Sequence, residues 1–261
     1  MQIVIAFAIL GGLGILFGAL LGFASKVFAV EQDERIDKIT SCLPGANCGG
    51  CGFAGCANFA QAVVNGEVPY SACPVCNTDA KEQIASIMGV SASGDDDKQM
   101  CAVVLCQGAS GVAEDKYIYN GIGDCNAAAR LRGGQKKCAY ACLGFGNCVS
   151  ACVFGAISIQ NGVAVVDKEK CTACGQCVKA CPKHVIKLTT KTDKPIVICS
   201  SKDKGAAVTK ACRVGCIGCG LCVKECPVDA IILKDNIAII DDEKCINCGR
   251  CKEKCPRGII K

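Results

Sequence analysis

The sequence predicts an α+β protein with an apolar N-terminal helix, a small cysteine-rich domain and two tandem copies of a second cysteine-rich module. Three observations lead to this prediction. They are a long uncharged N-terminal stretch, 27 cysteines among 261 residues, and a cysteine pattern that repeats in the second half of the chain. We expect the helix at 1–30, the small domain at 31–88, a cysteine-containing connector at 89–124, and the modules at 125–187 and 199–261.

The composition excludes two broad classes of protein. Cysteine accounts for about one residue in ten, yet the chain is much longer than a typical secreted disulfide scaffold. Apolar residues make up 51% of the chain and charged residues 20%, which excludes an intrinsically disordered protein. The many thiols therefore need another purpose.

The N-terminal stretch predicts a transmembrane helix. Residues 3–25 carry no charged side chain and would form about 35 Å of helix, enough to cross a hydrocarbon core of about 30 Å. A cleaved secretory signal would begin with basic residues and have a shorter apolar region. Lys26, Arg35 and Lys38 follow the stretch, so the positive-inside rule places the rest of the chain in the cytoplasm. We expect a single-pass protein of the plasma (inner) membrane.

Small residues mark one face of this predicted helix. Gly14, Gly18 and Gly22 recur every four residues, and this spacing lets membrane helices pack closely. The alternative is that glycine is simply common in membrane helices. The pattern favours an interface with other membrane subunits.

The second half of the chain contains an internal repeat. Nine cysteines each have a cysteine 74 positions later, so 125–187 aligns with 199–261 without a gap. A duplicated module is the simplest explanation. The first copy contains Cys125, Cys138, Cys142, Cys148, Cys152, Cys171, Cys174, Cys177 and Cys181. Each copy also predicts a short β-hairpin, at 157–166 and at 231–240.

The second copy has the cysteine spacing of a two-cluster bacterial ferredoxin. In such a run the three cysteines of a C-x2-C-x2-C loop bind one four-iron cube, and the fourth, before proline, binds the other cube. Isolated C-x2-C pairs, the pattern of zinc sites, fit less well. We predict one 4Fe-4S cluster on Cys216, Cys219, Cys222 and Cys255, and a second on Cys226, Cys245, Cys248 and Cys251.

The first copy departs from this pattern at two positions. Phe145 stands where the second copy has Cys219, and Val153 stands where it has Pro227. Cys138 is the nearest replacement thiol. We therefore predict one cluster on Cys138, Cys142, Cys148 and Cys181, and another on Cys152, Cys171, Cys174 and Cys177. The alternative for the first set is a three-cysteine site with a three-iron cluster or none.

The small domain carries a fifth candidate site. Cys48, Cys51, Cys56 and Cys73 follow a C-x2-C-x4-C-x16-C spacing with several glycines around the ligands. Glycines let backbone N–H groups approach cluster sulfurs and tune the reduction potential. A zinc knuckle is the alternative.

Seven cysteines remain unassigned, and two interpretations stay open. Most could be buried small hydrophobic residues. Alternatively, Cys101, Cys106 and Cys125 with one further thiolate would hold a sixth cluster. Spacing alone assigns no role to Cys42, Cys76, Cys199 or Cys212.

The formal net charge of +5 counts every cysteine as neutral. Five clusters near −2 each would bring the loaded chain to about −5, so the charge predicts no nucleic-acid partner. Serine and aspartate show no triad pattern, and the lone His184 is expected at the surface. We therefore expect no catalytic residue on this chain.

An N-terminal span, the segment CGGCGFAGC with Cys73 downstream, and tandem ferredoxin modules resemble the B subunits of Rnf complexes along essentially the whole chain. The specific part is the four-cysteine unit beside a membrane helix. The resemblance implies a component of a membrane-bound, Na⁺ or H⁺ translocating ferredoxin:NAD⁺ oxidoreductase. It would accept electrons from soluble ferredoxin and pass them to the membrane and peripheral subunits. The alternatives are a membrane-anchored polyferredoxin serving a hydrogenase or other membrane reductase, and a zinc-binding interaction protein.

Overall fold

The structure, a computed structural model, describes residues 2–27, 33–91 and 99–261. It begins with helix α1 (Gln2–Val27). No helix in these residues combines the length and hydropathy needed to cross a membrane, so the transmembrane helix expected at 1–30 is not confirmed. Residues 28–32, where the expected helix ends and the small domain begins, and residues 92–98 of the expected connector lie outside the described residues.

The small domain is a three-helix unit. Asp33 begins α2 by accepting a hydrogen bond from the Arg35 N–H at 2.9 Å, and Asn77 begins α4 by accepting from Ala80 N–H at the same distance. Each helix contributes one large apolar side chain to a shared core, and these side chains are fully buried. The helices are α2 (Glu34–Cys42), α3 (Cys56–Val64) and α4 (Thr78–Met88), with a 3₁₀ turn at Tyr70–Ala72, and the core side chains are Ile39, Phe59 and Ile84.

The next unit contains two antiparallel strand pairs. β1 (Met100–Val104) pairs with β4 (Ile186–Thr190), with Val104 opposite Ile186. β2 (Ile157–Gln160) and β3 (Val163–Val166) form the predicted hairpin. The turn Asn161-Gly162 has positive φ at both residues, which is the conformation that suits a two-residue hairpin. Its short helices are α5 (Cys125–Arg130), α6 (Asn147–Ser150) and α7 (Gln176–Ala180).

The last unit repeats this plan. The predicted hairpin forms between β5 (Ile231–Lys234) and β6 (Ile237–Ile240), and the turn again has positive φ at both residues. At the start of the unit, Ile196 and Lys261 exchange backbone hydrogen bonds of 2.9 and 3.0 Å. Its helices are α8 (Gly205–Ala211), α9 (Leu221–Lys224) and α10 (Arg250–Lys254).

The two repeated units begin at equivalent positions that the gap-free alignment misses. Leu105 N–H donates to the Val185 carbonyl at 2.7 Å, and Ile198 N–H donates to the Ile259 carbonyl at 2.8 Å. Val185 and Ile259 are 74 positions apart, so Leu105 and Ile198 occupy the same place in their units. The first unit therefore starts at β1, ahead of the boundary expected at residue 125.

This equivalence makes Cys106 the structural counterpart of Cys199. The alignment instead paired Cys199 with Cys125, because it allowed no gap. Cys106 and Cys138 are 32 positions apart, whereas Cys199 and Cys212 are 13 apart, so the first unit has an insertion of 19 residues. Cys125 lies within this longer segment, on α5.

Candidate iron–sulfur sites

The four cysteines predicted for the small domain surround one cavity. Cys48, Cys51, Cys56 and Cys73 all line it. Gly49 has a φ of +67°, and its carbonyl accepts the Gly52 N–H at 3.2 Å, so the loop turns tightly between the ligands. The Asn47 side chain accepts the Cys56 N–H at 2.8 Å and fixes the third cysteine at the start of α3.

Backbone amides approach the fourth thiol of this set. Burial raises the pKa of Cys73, while the N–H groups of Val75 and Cys76 donate toward the sulfur and oppose that rise. Such donors stabilise a thiolate and hence a bound cluster. The site therefore fits a cofactor that takes four thiolates.

The set predicted on Cys152 and the triplet at 171–177 also shares a cavity. Its lining includes Cys152, Cys171, Cys174 and Cys177. Ala156 N–H donates to Cys152 Sγ and Ala102 N–H to Cys171 Sγ, each at 3.3 Å. The second of these donors lies on β1, so the strand pair at the edge of the unit helps to build the site.

The last unit brings together its first predicted set. Cys216, Cys219, Cys222 and Cys255 line one cavity. Burial raises the pKa of Cys222 to about 11, and the facing thiols of the other three cysteines contribute to that rise. The structure therefore brings the triplet and the distant Cys255 to the same cavity.

The second set of the last unit shows the same local contacts as its counterpart. Ala230 N–H donates to Cys226 Sγ at 3.3 Å, which repeats the contact between Ala156 and Cys152. Burial raises the pKa of Cys251, and the thiols of Cys245 and Cys248 face it.

The remaining set differs from the prediction at one position. Burial raises the pKa of Cys148 to about 12, and the thiols that face it belong to Cys142, Cys125 and Cys181. Cys138 faces Cys199 and Cys212 instead. The structure thus places Cys125, rather than Cys138, with this group.

The insertion explains why Cys125 reaches this place. Asp124 begins α5 by accepting the Ala127 N–H at 2.7 Å, and Asn147 accepts the Cys125 N–H at 2.6 Å. The ring of Tyr119, also in the insertion, packs on Phe145 with centroids 5.2 Å apart. The insertion therefore covers the position where the second unit has Cys219 and supplies a thiol from another direction.

The three cysteines considered for a sixth cluster do not converge. Cys101 is buried on β1 opposite Thr189 and faces Cys171. Cys106 faces Cys142 and Cys138, while Cys125 joins the group around Cys148. Cys42 and Cys76 pack in or against the core of the small domain, where burial raises the pKa of Cys76 to about 11.

In three of these groups the four cysteines are spread around a cavity and do not converge on the position of a single metal ion. In a four-iron cube each cysteine binds a separate iron. Three of the groups line a pocket with thiols spread around it, and this arrangement fits such a cofactor. Within 2–27, 33–91 and 99–261, no three His, Cys, Asp or Glu side chains form a group that could hold a metal ion.

Comparison with protein families agrees with the cysteine chemistry. Residues 43–75 match a family described as "Putative Fe-S cluster". Residues 170–230 and 215–259 match the family described as 4Fe-4S dicluster domain. Neither match includes the run from Cys138 to Cys152, which is where the first repeat departs from the ferredoxin pattern.

Comparison with curated proteins gives long matches. The B subunit of a Na⁺-translocating ferredoxin:NAD⁺ oxidoreductase complex from Acetobacterium woodii is 44% identical over 93% of this chain and 72% of its own length. The chain belongs to the family of B subunits of ion-translocating oxidoreductase (Rnf) complexes. The B subunit of an ion-translocating oxidoreductase complex from Methanosarcina acetivorans is 44% identical over 91% of this chain and 89% of its own length. The B subunit of a proton-translocating ferredoxin:NAD⁺ oxidoreductase complex from Clostridium ljungdahlii is 44% identical over 88% of this chain and 81% of its own length.

Proposed function

We propose that this chain is the electron-relay component of a membrane-bound, Na⁺ or H⁺ translocating ferredoxin:NAD⁺ oxidoreductase. It accepts electrons from reduced ferredoxin and passes them to the membrane subunits of the complex. The names of the long relatives support this role, and they include both Na⁺- and proton-translocating complexes at the same identity. A 4Fe-4S cluster supplies one-electron chemistry at near-constant geometry when it is bound.

The observation that carries the proposal is direct contact between successive cysteine sites. Gln176 Nε2 donates to the Cys48 carbonyl at 2.6 Å. A Cβ built on Gly50 would lie 2.8 Å from the Cys174 carbonyl oxygen and 3.2 Å from its Cβ. The loop of the small domain therefore rests directly on a ligand loop of the first ferredoxin-like unit, with no side chain between the two backbones at Gly50.

The two sites of each ferredoxin-like unit share one apolar core. Cys142, Cys148 and Cys177 are buried in one cluster of side chains, and Cys216, Cys222 and Cys251 in another. Val and Ile side chains pack against these thiols. An apolar surround on this side of the ligands tunes the potential of a bound cluster.

The exposed thiols indicate where a soluble donor would approach. Cys219 and Cys248 are the two exposed cysteines of the described chain, and both belong to the last unit. Arg250 and Lys252 follow Cys248 closely in sequence, and Lys224 follows Cys222 of the other ligand loop. A reduced ferredoxin carries negative charge on its own cluster, so a basic surface near an exposed ligand loop would favour the encounter.

Helix α1 is the segment that we assign to the membrane end of the assembly. Its described side chains include exposed leucines and phenylalanines, such as Leu21 at 71% and Phe23 at 70% exposure. A Cβ at Gly14, Gly18 or Gly22 would meet nothing within 4 Å, so this glycine face is open to a partner helix. We propose that α1 attaches the chain to the membrane subunits, with the cysteine sites on the cytoplasmic side.

The test replaces one ligand of the small domain in the intact complex. With Cys51→Ala, electron flow from reduced ferredoxin to NAD⁺ in membranes should stop, while reduction of the distal sites by ferredoxin stays measurable. Cys42→Ala, in the same domain but outside its cavity, is the matched control and should keep the flow. Persistent NAD⁺ reduction in the Cys51→Ala membranes would show that the relay bypasses this site. A complex that co-purifies with a hydrogenase instead would also refute the proposal.

A further inference from the structure

A fourth cysteine-lined cavity lies between the two ferredoxin-like units. Cys106, Cys138, Cys199 and Cys212 line this space together. Three of the predicted cluster sets each place four cysteines around one pocket in the same way. The fourth cavity thus has the same number of thiols, yet its thiols belong to none of the groups described above.

Each unit contributes an equivalent half of this cavity. Cys106 and Cys199 follow the equivalent residues Leu105 and Ile198, and Cys138 and Cys212 are 74 positions apart. Other lining residues also occur in equivalent pairs, such as Ala141 with Gly215. A set of stray thiols left over from duplication would not be expected to converge on one space from matching positions.

The hydrogen bonds to the sulfurs match as well. Cys142 N–H donates to Cys106 Sγ at 3.4 Å, and Cys216 N–H donates to Cys199 Sγ at 3.4 Å. A second backbone N–H donates to each sulfur from two positions further along the chain. Gly108 N–H donates to Cys106 Sγ at 3.3 Å, and the equivalent Ser201 N–H donates to Cys199. Two amides per sulfur is the environment that favours a thiolate bound to iron.

The other two thiols lie in an equally closed setting. Cys212 is 8% exposed, and the pKa of Cys138 is raised by burial although the Tyr140 N–H and the Ser201 hydroxyl donate toward its sulfur. Ser201 is itself only 2% exposed. A buried hydroxyl aimed at a thiol is a polar group placed for an anionic sulfur.

We propose that Cys106, Cys138, Cys199 and Cys212 hold a sixth 4Fe-4S cluster across the interface between the two units. Loading would release the four thiol protons, and the four thiolates would each bind one iron. A single zinc ion is the competing occupant of a four-thiolate site, but among the described residues no three His, Cys, Asp or Glu side chains converge closely enough to hold one metal ion.

The connector and the insertion hold the two halves together. Glu114 N–H donates to the Ala211 carbonyl at 2.9 Å, and Arg213 N–H donates to the Val112 carbonyl at 3.1 Å, on either side of Cys212. The Ser200 hydroxyl donates to the Tyr140 carbonyl at 3.2 Å. These contacts fix the relative position of the units at the cavity.

The position of the cavity gives the site a role that rests on the proposed function. The amide donors Cys142 and Cys216 are themselves assigned to the cluster groups on either side, one in each unit. A cluster in this cavity would therefore link the sites of the last unit to those of the first.

The experiment measures bound iron in the full chain purified without oxygen. Native mass spectrometry with iron and sulfide assays should give six clusters, or about 24 iron atoms, for the unchanged chain. Cys199→Ala and Cys212→Ala should each lose about one sixth of the iron. Cys101→Ala, a buried cysteine of the first unit that lines none of the described cavities, is the control and should keep all of it.

Several results would overturn the proposal. They are five clusters in the unchanged chain, one zinc ion beside five clusters, or full iron retention in both variants. If Cys199→Ala misfolds and loses more iron than one cluster, the milder variant Cys199→Ser is measured by EPR instead. An altered EPR signal from one cluster with the others unchanged supports the site, and an unaltered spectrum refutes it. Iron content is independent of turnover, so loss of NAD⁺ reduction with all six clusters present would refute the proposed relay and not the site.

Discussion

Gly50→Ala tests the contact between the small domain and the first ferredoxin-like unit. The added Cβ would lie 2.8 Å from the Cys174 carbonyl oxygen and 3.2 Å from its Cβ, whereas ordinary contacts begin near 3.4 Å. The loops must therefore separate by about 0.6 Å, or one of them must distort. The opposing atoms belong to Cys174, which a bound cluster would hold in place. We therefore expect Gly50→Ala to lower the free energy of unfolding by about 1–3 kcal/mol, as at other overpacked sites.

The assay compares urea unfolding and electron-transfer rate for Gly50→Ala and a matched glycine variant. Gly123→Ala is suitable because its Cβ would meet nothing within 4 Å and its φ is not positive. Gly50→Ala should retain its iron, unfold at lower urea and pass electrons to the small domain more slowly, while Gly123→Ala should match the unchanged chain. Equal stability and equal rates for the two variants would refute the direct contact on which the relay argument depends.

Three further predictions follow from the sites and their supports. Cys125→Ala should remove or alter the cluster next to Cys148 in the first unit. The change would appear as a three-iron EPR signal or as lost iron. An unchanged spectrum would mean that Cys138, and not Cys125, is the fourth ligand of this cluster. Lys136→Ala should lower the free energy of unfolding by about 1–3 kcal/mol. The reason is that Lys136 is 5% exposed and its Nζ contacts Asp115 at 3.2 Å and the Ala113 carbonyl at 3.4 Å. Lys137 is an exposed neighbour, so Lys137→Ala is the control. Chelation of iron should raise hydrogen exchange in the two ferredoxin-like units far more than in the small domain. Thiols fill the cores of those units, whereas Phe59, Ile39 and Ile84 fill the core of the small domain. Equal protection from exchange in all three domains would contradict this prediction.

Local spacing predicted much of the fold and the sites. Both hairpins occur where alternating apolar residues and turn residues placed them, at 157–166 and 231–240. Two cysteine triplets also converge with their partners in cavities, because a C-x2-C-x2-C loop brings its own sulfurs together whatever surrounds it.

The long-range features could not be predicted in the same way. A chance spacing of 74 paired Cys125 with Cys199, although the strand contacts of Leu105 and Ile198 make Cys106 the true counterpart. The insertion hid this, because a gap-free alignment cannot place 19 extra residues. The one available signal was Phe145, since a missing ligand in an otherwise regular run requires a thiol from elsewhere.

The matched halves of the cavity between the units have a consequence for how the chain tolerates cutting. Each module supplies two of the four thiols that line it, Cys106 and Cys138 from one and Cys199 and Cys212 from the other. If the cavity holds the proposed cluster, neither half binds it alone, and cleavage between the modules should release that cofactor while each module keeps its own sites.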